Sequence, residues 1–418
     1  MDALGSAASI AVAVTQPPPP PPPPTVVVQQ PVMVVQQPVV VQQQSVVVQQ
    51  QPVAVPPPPV ATRQPVVVPQ PVATAQVAAF AKARTVATDT EEPEYKYGSL
   101  RFSKPATPEQ IDAAKQKIAA AGKSADGVRL VFDKVDDATV SAAIARFPAA
   151  TEVSVSGTQL STLAPFALLS NATKLSIKNV KKLDISPLAG LRKLRTLDFT
   201  YSEIADLSPL SGMPELTNVD FYGATLADFS PLATCPKLDC VYFYAAKLPP
   251  EGYATLGKLK QVKKFHGGLT KMTSVEWLRQ VPQAEEVKIF AEKIQDLSPI
   301  ASLPNLTYLR LWNMSGDSMS FAVGDLSFLS NNKKLKRLEL PGSKYVNTGA
   351  LATLPLLETV DLSGAKNPVD VAFAARLPNL KRLDLCGATV TGGAVLASLP
   401  KNVNVRTDKK TQGVSSAK

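Results

Sequence analysis

From Leu130 to Val403 one phrase of about 22 residues recurs along the chain, and no other feature constrains its fold as much. Leu197 to Asn218 states it most clearly, as LDFTYSEIADLSPLSGMPELTN, and the next copy, VDFYGATLADFSPLATCPKLDC, starts at Val219. Aligning every copy on its first apolar position gives Leu130, Val153, Leu175, Leu197, Val219, Val241, Phe265, Val287, Leu309, Leu338, Val360, Leu383 and Val403. The successive gaps are 23, 22, 22, 22, 22, 24, 22, 22, 29, 22, 23 and 20 residues. A near-constant period of this size means a solenoid, in which each unit buries its apolar edge only against its neighbours. In each strand the apolar pair points into the core, and the flanking residues alternate outward.

The stretches DISPLAGL (184–191), DLSPLSGM (206–213), DFSPLATC (228–235) and DLSPIASL (296–303) follow their strands at a fixed distance. With the strand phrase they resemble a leucine-rich repeat of the internalin type, over roughly residues 127–406. The resemblance implies an α/β solenoid, a horseshoe with a parallel concave sheet. One departure bears on how the turns close. The family often places Asn five residues after the first strand leucine, where its amide hydrogen-bonds the turn backbone. Here that position holds residues such as Thr158, Val180, Ser202, Ala224 and Ala246, so these turns must satisfy their backbone groups in another way.

Composition divides the rest of the chain. Of its 38 prolines, 18 fall in residues 17–71. Eight prolines at 17–24 precede a seven-residue repeat: TVVVQQP (25–31), VMVVQQP (32–38), VVVQQQS (39–45) and VVVQQQP (46–52). Pro31, Pro38 and Pro52 break any helix that a heptad suggests, and they interrupt strand aggregation as well. The segment to about residue 76 therefore reads as a stiff, extended spacer. Residues 1–98 as a whole are expected to be a disordered Pro/Val/Gln-rich arm and linker. Residues 1–16 read either as the remnant of an export signal or as a plain disordered start. Ala11-Val12-Ala13 fits a cleavage site, but Met1-Asp2 supplies no positive n-region. Residues 99–126 are predicted to form an N-terminal helical cap over the open edge of the first repeat. Thr107 is its N-cap, Gln110 is placed for a capping box, and Ile111, Ala114, Ile118 and Ala121 form its apolar stripe. The repeat domain is expected over 127–406, with a disordered tail at 407–418.

The arm carries a net charge of −1, which leaves +11 for residues 99–418. A surplus of this size favours electrostatic contact with an anionic surface without choosing one. Clusters such as KKLKRL (333–338) read as a solvated rim, and no nucleic-acid module signature accompanies them. No stretch approaches the length of a membrane-spanning helix. Three cysteines cannot make a fully paired disulfide framework; Cys235 falls on an inward position, Cys240 and Cys386 on outward ones. His266 is the only histidine, so a multi-histidine metal site is impossible and any catalytic triad would depend on it. We expect no cofactor, no metal and no enzymatic activity.

Period two also selects the outward residues of the concave sheet, which lie one before, one after and three after each strand leucine. In the first four repeats they are small or charged, and the last four return to charged residues. Between them stand Tyr222, Tyr242, Tyr244, His266, Phe290, Tyr308 and Trp312, with Lys288 and Arg310 interleaved. Strands about 4.8 Å apart bring these seven rings within reach of one another. Such a surface suits recognition of a protein or a glycan, since rings bury large area at small entropic cost. The same rings can instead pack on each other as cross-strand stabilisation without a ligand. The internalin resemblance, taken with the possible signal remnant and the spacer, implies a bacterial cell envelope or secretion as the favoured setting. The alternatives are an intracellular scaffold, whose Pro-rich arm recruits proline-binding domains, and a purely electrostatic binder of anionic polymer.

Overall fold

The computed structural model describes residues 90–411, apart from 183, 269–271, 291–293, 295 and 313–321. The Pro/Val/Gln-rich arm, the last seven residues and most of SGDSMSFAV (315–323), which lengthens the 29-residue unit after Leu309, lie outside the described residues. Fifteen strands form a single sheet in chain order. They are β1 (Glu94–Lys96), β2 (Ser99–Phe102), β3 (Arg129–Asp133), β4 (Glu152–Ser156) and β5 (Lys174–Ile177). Then come β6 (Thr196–Asp198), β7 (Asn218–Asp220), β8 (Cys240–Tyr244), β9 (Lys264–Gly268) and β10 (Glu286–Phe290). The last five are β11 (Tyr308–Trp312), β12 (Arg337–Glu339), β13 (Thr359–Asp361), β14 (Arg382–Asp384) and β15 (Asn404–Arg406). Every neighbouring pair is parallel except β1 with β2. The aligned leucine positions lie side by side across the sheet, for example Leu175, Leu197 and Val219, all fully buried.

The register differs from expectation at both ends. Val405, not Val403, pairs with Leu383, which restores the 22-residue spacing. The closing sequence Val403-Asn404-Val405 alternates, so either valine fits a period-two pattern and only pairing chooses between them. At the other end Leu100 precedes Leu130 in the same buried row. The sheet therefore starts at Glu94, inside the stretch expected to be linker, and the first edge is a hairpin rather than a helix. Tyr97 and Gly98, both at positive φ, make its two-residue turn.

The predicted helix does form as α1 (Pro108–Ala120), with the capping box between Thr107 and Gln110 in place. Ile111, Ala114 and Ile118 are buried as expected, but Ala121 lies past the helix end and is exposed. A second helix, α2 (Asp137–Arg146), packs beside it; its stretch contains no proline. From the next repeat onward the convex side is built mostly of short 3₁₀ turns, and in four of them the SP motif places proline in the first turn. Asp184, Asp206 and Asp296 each accept the backbone N–H of the serine two residues on, at 2.7–2.8 Å. The first residue of the DxSP motif is thus a turn cap.

The missing turn asparagine is replaced from two sides. Asp198, Asp220 and Asp361 accept the backbone N–H two residues later, each at 2.9 Å. Backbone bonds also continue the sheet ladder past the strand ends, as in Tyr201 N–H to Tyr222 O at 2.7 Å. Where Ser202 holds the asparagine position, its hydroxyl donates to Ile177 O at 3.1 Å. Inside, a run of rings at the second inward position links adjacent repeats: Phe199 and Phe221 stack with centroids 6.3 Å apart, and Phe229 bridges Phe221 and Phe243.

Candidate ligand-binding face

Strand alternation carries all nine expected residues to the concave side of β7–β11, Tyr222 lying just beyond the end of β7. They do not form one uniform patch. Tyr222 stands at the amino-terminal margin, 37% exposed, edge-on to Tyr201 at 5.2 Å. Tyr201 belongs to this face although its place in a turn hid it from a period-two reading. It is 54% exposed and holds φ near +58°. Its ring lies against Gly223, one repeat later, where a Cβ would come within 2.4 Å of the ring. The available signal was that glycine, 22 residues after a tyrosine.

Tyr242 sits edge-on over His266, with ring centroids 5.0 Å apart. His266 corrects the expectation of a contact residue, since only 5% of it is exposed. Its Nε2 lies 3.1 Å from Glu286 Oε2, and the same carboxylate oxygen is 3.1 Å from Lys288 Nζ. Burial, reinforced by the Lys288 charge, pushes the imidazole down to about 4 against the pull of Glu286. Cys240 is also a correction: it occupies an outward strand position yet is buried, with Sγ 4.0 Å from His266 Nδ1. Cys386, by contrast, is half-exposed. A thiol, an imidazole and a carboxylate lie in sequence, but their setting differs from that of an activated nucleophile. Burial pushes the Cys240 thiol up to about 11, the contact to the ring is long, and the residue is only 1% exposed.

From the end of β8 to β11 the rings pack together. Tyr244, Phe290 and Trp312 have mutual centroid distances of 5.4, 5.9 and 4.5 Å. Tyr244 and Phe290 are two strands apart, and Gly268 between them makes this approach feasible. A Cβ at Gly268 would fall 2.1 Å from the Phe290 ring. Arg310 lies over Trp312 at 4.6 Å; Lys288 and Arg337 lie over Tyr308 at 4.5 and 4.6 Å. Glu339, nearly buried, collects the Tyr308 hydroxyl at 3.0 Å and the Arg310 guanidinium at 3.3 Å, and also pairs with Arg337. The cations are thus held by carboxylates on one side and by rings on the other.

Toward the first repeats the face falls into a shallow depression of about 300 Å³, floored by Ser154 and Ser176 and edged by Lys174, Lys178 and Asp198. Some lysines of the basic rim are matched between repeats, Lys237 to Glu215, Lys263 to Glu285 and Lys381 to Glu358 at 2.5–2.9 Å, whereas Lys333 and Lys334 hydrogen-bond neutral oxygens of Thr353 and Asn305. Exposed pairs of this kind contribute little each. Among the described residues no three His, Cys, Asp or Glu side chains converge to hold a metal ion. No helix among them is long and apolar enough to cross a membrane.

No family model matches the sequence, and no curated protein does either. Solved structures do match. An internalin (InlF) from Listeria monocytogenes, 19% identical, aligns over 79% of this chain and 93% of its own with a TM-score of 0.50. An internalin C2 of the same organism is 21% identical over 60% of this chain and 92% of its own, at 0.37. A leucine-rich-repeat protein of Leptospira interrogans is 12% identical over 66% and 89%, at 0.38.

The architecture is an internalin-like leucine-rich repeat.

At these identities the likeness concerns the fold. Within the leucine-rich-repeat frame the strand leucines are the part that every unit shares, and four units add an SP turn with its Asp. The rings on β8–β11 are not among them, because the preceding and following units stack equally well with serine, aspartate or arginine at the same places.

Proposed function

We propose that this chain is a non-enzymatic binding protein that recognises a protein partner through the concave face of β7–β11. The observation that carries this reading is the exposure of the rings. Tyr242, Tyr244, Phe290, Tyr308 and Trp312 are only partly buried, and Tyr222 is more open still. Rings placed solely to brace the sheet would be covered; these present faces and edges to solvent beside Lys288 and Arg310. Aromatic and arginine side chains of this kind dominate interface energetics, since they are large, already ordered and able to hydrogen-bond at their tips. The internal packing between them supports the same reading, because rings and cations held in place lose little freedom when a partner binds. His266 and Cys240 form the floor beneath and take no direct part.

The test is capture of partners by the full chain and by a Tyr242→Ala, Tyr244→Ala, Trp312→Ala variant, from lysate and envelope fractions at low and moderate salt. A partner kept by the wild type at moderate salt and lost by the folded variant is the expected result. Equal capture by both proteins would mean that the rings only brace the sheet. Capture that vanishes with salt in both would make the domain an electrostatic binder.

A further inference from the structure

The two ends of the sheet differ from its middle, and they match each other. At the last strand, Asn404 N–H donates to Lys381 O at 2.8 Å and Arg406 O accepts from Leu385 N–H at 2.9 Å. Both residues bond back to β14, so the N–H and C=O of Val405 between them point off the open edge. At the first strand the two-residue turn at Tyr97-Gly98 makes Lys96 and Ser99 the bonded pair of the hairpin. Alternation then turns the N–H and C=O of Tyr95 off the opposite edge. Each end thus offers one donor and one acceptor with the same spacing.

The side chains around them are complementary. The last repeat is closed by no helix or strand among the described residues; Leu396, Leu399, Val403 and Val405 are only partly buried against the core. Beside Val403 opens a groove of about 330 Å³, lined by Leu377, Pro378, Leu380, Leu399 and Pro400 together with Ser398 and Asn402. This end is also basic: Lys401, Lys409 and Lys410 have no ion-pair partner among the described residues, and Arg406 shares Asp384 with Arg382. The first strand offers Glu94, likewise without an ion pair among the described residues, and Tyr97 at the tip of its hairpin, 85% exposed.

We propose that copies of this chain associate head to tail, with β1 of one copy adding antiparallel to β15 of the next. One register satisfies every feature. Tyr95 faces Val405, so the two outward backbone pairs bond to each other and both side chains stay on the core side. Glu94 then faces Arg406, and Lys96 faces the neutral Asn404. Tyr97 falls opposite Val403, at the mouth of the groove, where its ring can lie on Leu399 and Pro400 and its hydroxyl can reach polar lining. Because β1 is the one antiparallel strand, the second copy's β2 comes out parallel to the sheet it joins, and the two concave faces run on continuously. Pairing two carboxy-terminal ends would instead set the unpaired lysines of both copies against each other. A head-to-tail contact leaves one end of each kind free, so it propagates along a chain of copies.

Sedimentation of the full chain over a range of concentrations tests this. The wild type should grow past the dimer as concentration rises, and less so at high salt. Tyr97→Gly, at a position whose positive φ suits glycine, should weaken association about tenfold or more without lowering the melting temperature. Val405→Pro removes the outward donor and should block growth, with circular dichroism confirming the fold. The decisive arm mixes a variant blocked at the head (Tyr97→Gly with Glu94→Lys) with one blocked at the tail (Val405→Pro). Each alone should remain a monomer, and the mixture should give dimers and nothing larger. A wild type that stays monomeric at about 100 µM would overturn the proposal, as would a dimer formed by either blocked variant alone.

Discussion

His266 shows how far a single residue can depart from what its strand position promises. Alternation aims it outward, but Tyr242 covers it and the ring loses nearly all contact with water. Glu286, Lys288 and Lys264 are the charged groups that face it, and burial outweighs their combined effect, so the ring is neutral in the folded state. The folded value of about 4 lies below the ordinary 6.5. The unfolded chain therefore takes up a proton first as the pH falls. Stability that is complete above about pH 6.5 should fall away toward pH 4 by about 2–3 kcal/mol. Chemical denaturation of wild type and His266→Gln at pH 7.5 and 4.5 isolates this part from the carboxylates, which titrate in both. The wild type should lose more stability than the variant, and parallel profiles would show that His266 is not responsible. The face of each ring borne on a strand could be read from the sequence, because period two is a backbone property, while Tyr201 in its turn could not. The burial of His266 and Cys240 could not, because it depends on how large the neighbours on the next strands are.

At the level of elements, the strands and the SP turns are legible because each needs a particular residue at a particular spacing. Leucines set the strand row, and Asp with Ser-Pro sets the turn. The ends are not legible in this way. Nothing local tells Val403 from Val405, and the β1–β2 hairpin contains no copy of the repeat phrase; pairing with Arg129–Phe132 is what makes β2 part of the sheet. The unit before β12 makes a similar point from inside. Its inward position, held by Leu303 and Cys235 in other units, is held by Asn332, which is wholly buried. The amide donates to Ile300 O at 3.0 Å and to Leu303 O at 2.9 Å, stitching this longer unit to the preceding turn. Both carbonyls also accept a backbone N–H, so neither is stranded when the amide is removed. Asn332→Leu should therefore cost a moderate amount, about 1–2 kcal/mol, in urea denaturation with an unchanged slope. A variant as stable as wild type would show that leucine packing replaces the stitch entirely.

For the whole molecule the question is which feature drives association and which sustains it. The chain outside the arm carries a net charge of +11; some rim lysines pair with glutamates, and the central cations rest on Glu286 and Glu339. Such a field acts at long range and is screened within about 10 Å at ordinary salt, so it speeds encounter more than it holds a complex. The rings act only on contact, so they should govern dissociation. With the captured partner immobilised, raising salt from about 50 to 300 mM should slow association several-fold for wild type and for the Tyr242→Ala, Tyr244→Ala, Trp312→Ala variant alike. Dissociation should be nearly insensitive to salt in the wild type and faster by about tenfold or more in the variant. If the variant instead dissociated as slowly as wild type, the concave rings would be bracing and the basic surface would be the site. The division of labour has a structural basis: charges are spread over the solenoid because every repeat carries some, whereas the rings are confined to the few adjacent strands where Gly268 lets them meet.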